Sequence, residues 1–223
     1  MNIHDIDDPP IRAQEILDAE GHSFLTSAGI ALTRDTTNRG ILPYRGTTTT
    51  VGWEAIGALG GDYSFHKLTG SFDWYHTLAE DLLDRKTIFS LHGDAGYIFG
   101  GSVFFERFYG GGIGSIRGFR FRGISPREGP AEDVVGGDFA LTGSAEISFP
   151  LAGDVLRGVV FADVGTVEQD VRIGTIRSSV GSGIRLILPI MGQVPIAIDF
   201  AVPITKDDQD DTQLISFSLG IIQ

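Results

Sequence analysis

No cysteine occurs in the 223 residues. That removes disulfides, zinc–thiolate sites and thiol nucleophiles together. Basic charge is scarce as well: 17 Lys and Arg stand against 29 Asp and Glu, a formal net charge of −12. Nucleic-acid binding, which needs clustered cations to displace counterions from phosphates, is therefore not expected. Long apolar runs are missing too. The best candidate, RLILPIMGQVPIAIDFAVPI at 185–204, is cut by proline, glycine and charge, whereas a membrane-spanning helix needs about 20 apolar residues. No basic segment followed by an apolar one opens the chain at Met1, so no signal peptide is read there. The His residues are scattered. With no nucleophile–base pair and no metal-ligand cluster, neither an enzyme nor a metal or cofactor is expected.

What the chain does have is alternation. Residues 1–23 are acidic, carry Pro9-Pro10 and suggest one short helix around Ile11–Ala19. From Phe24 onward a two-residue period takes over. In FALTGSAEISF, Phe139, Leu141, Gly143, Ala145, Ile147 and Phe149 share one face, and Ala140, Thr142, Ser144, Glu146 and Ser148 the other, which is the pattern of a half-buried strand. The same reading predicts about nine strands: 24–34, 47–58, 63–77, 86–98, 137–150, 157–167, 176–188, 195–205 and 212–223.

Two all-β architectures give this pattern, a soluble sandwich and a transmembrane antiparallel β-barrel. The strands reach the ~9–11 residues that a bilayer requires. Their non-apolar face is rich in Gly, Ser, Thr and isolated charge, as a wet lumen would be. Tyr63, Phe65, Trp74, Tyr75, Tyr97 and Phe149 fall near strand ends, where an interfacial girdle would stand. The pattern favours the barrel and leaves the sandwich open.

Between the fourth and fifth strands lies GGGIGSIRGFRF, residues 110–121. A phosphate-binding P-loop needs Lys-Ser/Thr after its last glycine, and a dinucleotide fingerprint needs a helix to follow; neither is present. The aromatics around the glycines call for burial rather than for an idle surface loop. Here the residues resemble a known family. GGIGSIRGFRFRGISP is similar to the arginine–glycine–phenylalanine motif of the outer-membrane β-barrel assembly factors, of BamA and TamA type, with two-partner secretion transporters as cousins. TRDTTNRGILPYRGT, VGGDFALTGSAEISFP and GVVFADVGTV match neighbouring family segments, so the likeness covers about residues 24–223.

The resemblance implies a fold: the last nine or so strands of a sixteen-stranded barrel, with loop 99–136 folded into the lumen and residues 1–23 a remnant of an extracellular loop. It implies that Ile116, Arg117, Gly118 and Phe119 form the functional loop motif, with Glu146 and Asp163 as the arginine's partners in the wall. A lumen arginine needs such partners, since a desolvated lone charge costs several kcal/mol, and its planar fork suits two carboxylates. Period-two counting independently turns Glu146 inward; the strand of Asp163 alternates less strictly. Phe119 and Phe121 would pack the loop against the wall. His92, Asp94, Arg185 and Asp199 also turn inward and are read as solvated lining.

The implied function is insertion and folding of β-barrel proteins in the bacterial outer membrane, by strand augmentation at a lateral seam. Unfolded outer-membrane proteins, the lipid bilayer and accessory assembly lipoproteins are the implied partners. The last strand would form one side of the seam, with Phe217 on it and Gly220 as a weak point, because glycine packs no side chain across strands. A two-partner secretion pore is the rival reading. The missing first strands and the end at Gln223, where such strands usually place an aromatic, lead us to expect a fragment.

Overall fold

The computed structural model describes residues 2–3, 21–38, 42–153, 155–187 and 195–219. The helix expected around Ile11–Ala19, and Gly220, lie outside these. Nine strands make one antiparallel sheet: β1 (Ser27–Asp35), β2 (Gly46–Ile56), β3 (Phe65–Glu80), β4 (Lys86–Phe99), β5 (Phe139–Ala152), β6 (Leu156–Glu168), β7 (Arg177–Ile187), β8 (Pro195–Thr205) and β9 (Ile215–Leu219). Their spatial order is their chain order, with β1 and β9 at the edges. Short connections account for most of this meander, since an antiparallel neighbour is the one partner a tight turn can reach; the long connection between Phe99 and Phe139 also returns the chain to the adjacent edge. Observed ends fall within a few residues of those expected, except that β3 runs on to Glu80 through a register shift between Thr77 and Ala79; β9 is described over Ile215–Leu219.

One face of the sheet is a continuous apolar surface open to its surroundings. Ile30, Leu32, Val51, Phe72, Leu141, Val164, Val180, Ile198, Phe200 and Phe217 all stand exposed on it. A sandwich would bury that face against a second large sheet; among the described residues the other sheets are pairs of two-residue strands, too small to cover it. Aromatics cluster at two levels of the same face. Trp53 stacks on His66, which tilts against Phe99; Trp74 meets His76 and Phe89. From His66 to Trp74 is about 27 Å along a strand at ~3.4 Å per residue. Tilted by ~40° that becomes about 21 Å, close to the ~25 Å apolar band of a membrane barrel. Three residues of the expected girdle turn the other way: Phe65 is buried on the inner face with Ile56 and Ile98, Tyr63 packs against that cluster and against Phe105 of the long connection, and Tyr75 shares the inner parity of Asp73 and Thr69 on β3. Parity along the strand, rather than closeness to its end, decides the direction.

The inner face carries the polar set, and part of it is roofed by the long connection between β4 and β5. The distal end of the Phe108 ring abuts Gly96 of β4, where a Cβ would collide with it. Lys67 of β3 donates to the Glu106 carbonyl at 2.8 Å. Farther along, Ile116, Phe119 and Ile124 pack with Val167 of β6 into a fully buried cluster. Phe121 does not join them. It is 76% exposed, because it sits at the tip of a reverse turn closed by the Gly123 N–H on the Arg120 carbonyl, with Arg122 in the left-handed conformation.

Candidate functional site: an arginine held in the inner wall

Arg117 is 1% exposed and its guanidinium spends every face on the wall. Nε donates to Asp163 Oδ2 at 2.8 Å and Nη2 to Asp163 Oδ1 at 2.8 Å, a two-pronged carboxylate contact of the kind that only the planar fork can make. Nη1 donates to Glu146 Oε2 at 2.8 Å, and Nη2 also reaches Ser144 Oγ at 3.0 Å. The main-chain N–H of Arg117 donates to Asp163 Oδ2 at 3.0 Å, and Ser144 Oγ donates to Asp163 Oδ1 at 2.7 Å. Below lies the Phe161 ring, 3.3 Å from Cζ, in cation–π contact. Burial opposes the guanidinium's charge, but bonds and charge from Asp163 and Glu146 outweigh it, so Arg117 titrates above its ordinary value.

Register explains why these groups converge. Ser144 of β5 stands opposite Asp163 of β6, and Glu146 opposite Phe161. All point inward, so adjacent strands deliver two acids and a hydroxyl to one spot. Glycines make the approach possible. Gly118, at φ +91°, brings its backbone so close that an added Cβ would meet Ser179, Ala201 and Pro203 at 3.3–3.4 Å. Gly165 leaves room for Ile116, and Gly181 for the Phe161 ring. The backbone of the motif is held as well: Gly118 and Phe119 pair antiparallel with Gln213 and Thr212, and Arg120 and Gly123 exchange hydrogen bonds with Asp211.

Arg185 and Asp199 do not sit in a solvated lining; each is 3% exposed. Arg185 Nη1 donates to Asp199 Oδ1 at 2.6 Å and Nη2 to Glu146 Oε2 at 3.2 Å. Both join the arginine network through Glu146, with side-chain partners in place of water. The sequence held a signal for this pairing: opposite charges of inward parity on consecutive strands. His92 and Asp94 do face the open lumen, where the His92 ring bridges Asp73 at 2.7 Å and Asp94 at 2.6 Å. Phe217 points outward from β9 and is 63% exposed. No group of side chains that could hold a metal ion is found among the described residues.

Residues 3–222 match the model of the Omp85 superfamily domain. The chain belongs to the Omp85 superfamily. Its curated relatives include the outer membrane protein assembly factor BamA of Nitratidesulfovibrio vulgaris, 33% identical over 98% of this chain and 28% of that protein. The sorting and assembly machinery component 50 homolog of mouse is 34% identical over 66% of this chain and 32% of its own length. Among solved structures, BamA from Haemophilus ducreyi lacking POTRA domains 1-3 superposes with a TM-score of 0.72 at 22% identity, over 86% of this chain and 41% of that one. The likeness fixes the fold: the nine-stranded sheet is part of a transmembrane antiparallel β-barrel, integral to the outer membrane. This Omp85 chain spans less than a third of the length of these curated relatives.

Proposed function

We propose that this chain is the C-terminal barrel portion of an outer-membrane assembly factor, which folds and inserts β-barrel proteins at a lateral seam by strand augmentation. Residues 24–223 form the barrel portion with loop 99–136 folded inward, and residues 1–23 a remnant of an extracellular loop. In this reading Ile116, Arg117, Gly118 and Phe119 are the functional motif, and Glu146 and Asp163 its anchors. Incoming unfolded outer-membrane proteins are the substrate, the bilayer is the solvent, and accessory lipoproteins are partners; no nucleotide or bond-making step takes part.

The observation that carries the proposal is the state of β9. Among the described residues it pairs on one side only, with β8, over Ile215–Leu219. Unpaired N–H and C=O groups are costly in lipid, so such an edge templates a newcomer strand. The stretch just before it, Thr212–Gln213, leaves β8 and pairs with Gly118–Phe119 of the motif instead. Loop and edge strand are thus joined through backbone hydrogen bonds, which gives the motif a route to the seam.

The test is site-specific photocrosslinking in the full-length protein during assembly of a small outer-membrane barrel. A photoreactive residue at Phe217 is expected to capture the substrate's terminal strand, and one at Phe200, outward-facing on paired β8, is not. Capture by a probe at Thr50, inside the lumen, with none at Phe217 would refute the seam and favour the secretion-pore reading.

A further inference from the structure

Glu146 is shared. Its Oε2 accepts from Arg117 of the loop at 2.8 Å and from Arg185 of the wall at 3.2 Å. Arg185 lies on β7, two strands from Glu146, and reaches across β6 to touch it. Its other terminal nitrogen is fixed to Asp199 of β8 at 2.6 Å. Gly183 makes that grip possible, since a Cβ there would collide with Asp199 Oδ1. A second arginine, Arg157 of β6, stands directly opposite Arg185 in the register. Like charges so placed repel, and the pair is tolerated because the two guanidiniums turn to different acceptors. Arg157 goes to Ser148 Oγ and to the carbonyls of Lys86 and Ser148, and Arg185 to Glu146 and Asp199. Of the three buried guanidiniums, Arg117 and Arg185 therefore hold the buried carboxylates Glu146, Asp163 and Asp199 between them.

We infer that Arg185, anchored by Asp199, is a positioning residue: it holds the Glu146 carboxylate where Arg117 meets it, and keeps Glu146 partnered when the loop leaves. The inference rests on reading the loop as a docked latch. With Arg117 withdrawn, Asp163 keeps Ser144 and lumen water, while Glu146 keeps Arg185. The socket on β5 then stays formed between docking events instead of being rebuilt at each one. Leaving a buried carboxylate without its cation is the costly outcome, and Arg185 removes it for Glu146. The three wall residues involved come from β5, β7 and β8, so the latch is braced across four consecutive strands.

Residues 1–223 carry no thiol; with any cysteine elsewhere in the full-length protein replaced, spin labels at Leu59→Cys, in the β2–β3 turn, and Arg120→Cys report the position of the loop by electron–electron resonance. Both positions are exposed. Arg185→Met is expected to lower the docked-to-undocked ratio at least fivefold, with Arg185→Lys in between. In an Arg117→Met background the same substitution should change the ratio less than twofold, because the contact it supports is gone. An unchanged ratio with Arg117 present, or an equal loss in both backgrounds, overturns the inference. Should Arg185→Met fail to give a folded, heat-modifiable barrel, Asp199→Ala removes the anchor alone. A drop of the same direction then supports the inference, and no drop overturns it. Loop docking is read here without any substrate, so a failed seam crosslink at Phe217 would leave this result standing, and the reverse.

Discussion

Replacing Arg117 by lysine keeps the charge and removes the fork, which makes it the sharpest perturbation of the latch. Arg117 donates four side-chain hydrogen bonds, three of them to carboxylate oxygens. An ammonium at the end of a flexible stem reaches one carboxylate well and cannot span both oxygens of Asp163 together with Glu146. Two charge-assisted bonds are lost, at about 1.5–3 kcal/mol each. Part of the Phe161 contact, ~0.5–2 kcal/mol, goes with them. Opening of the loop returns water to the acids and offsets a portion, so a net loss of about 3 kcal/mol is expected. Hydrogen exchange measures it directly, since amides held by docking exchange through local opening. The N–H groups of Arg117, Arg120 and Gly123 are bonded to Asp163, Asp211 and the Arg120 carbonyl. In the Arg117→Lys protein they should exchange about a hundredfold faster, at ~1.4 kcal/mol per decade, while strand amides of β6 and β7 stay put. Rates within threefold of the parent would refute the claim that the fork, rather than the charge, holds the loop.

Two further outcomes follow from the same geometry. Gly118→Ala places a side chain at φ +91° and within 3.3–3.4 Å of the wall, so loop docking should weaken by about 1–2 kcal/mol from the left-handed backbone alone, read as faster exchange over 116–124. Phe119→Ala empties a fully buried site and should cost the docked loop about 3 kcal/mol or more, whereas Phe121→Ala, at a position 76% exposed, should stay within ~0.5 kcal/mol of the parent.

The strands were readable wherever the lumen is wet. On β5, Ser144, Glu146 and Ser148 alternate with Ala145, Ile147 and Phe149, so period two sets the direction of Glu146 with no help from the fold. On β6 the signal fades for a physical reason. Val159, Phe161 and Val167 point inward beneath the loop and are buried, while Val160 and Val164 point to the membrane face. With both faces apolar, alternation of polarity vanishes and the inward turn of Asp163 cannot be counted out. The covered wall is a core, and a core strand has no polar side. Phe121 was opaque for a different reason: its exposure depends on the reverse turn over 120–123, with the next residue, Arg122, left-handed, and nothing in FRFRG marks that turn. The pairing of Thr212–Gln213 with the motif was likewise hidden, because main-chain partners leave no pattern in side chains.

The choice of a salt-bridged latch over an apolar plug has consequences for how the loop can behave. Apolar burial is non-directional; a greasy loop would adhere to the wall in many registers and leave slowly from all of them. A buried ion network contributes little net stability, because desolvation consumes most of the attraction, yet misplacing one partner is expensive. The cluster formed by Ile116, Phe119, Ile124 and Val167 supplies adhesion, and the arginine fork admits a single register. Docking of this kind is accurate without being permanent. Since Gly118 and Phe119 carry the pairing with Thr212 and Gln213, the register set by Arg117 also sets where the start of the edge strand is held. A loop that slid by one residue would turn Arg117 away from Asp163 and shift its pairing with the edge strand together. In that sense the charge at position 117 acts less as glue than as an index for β9.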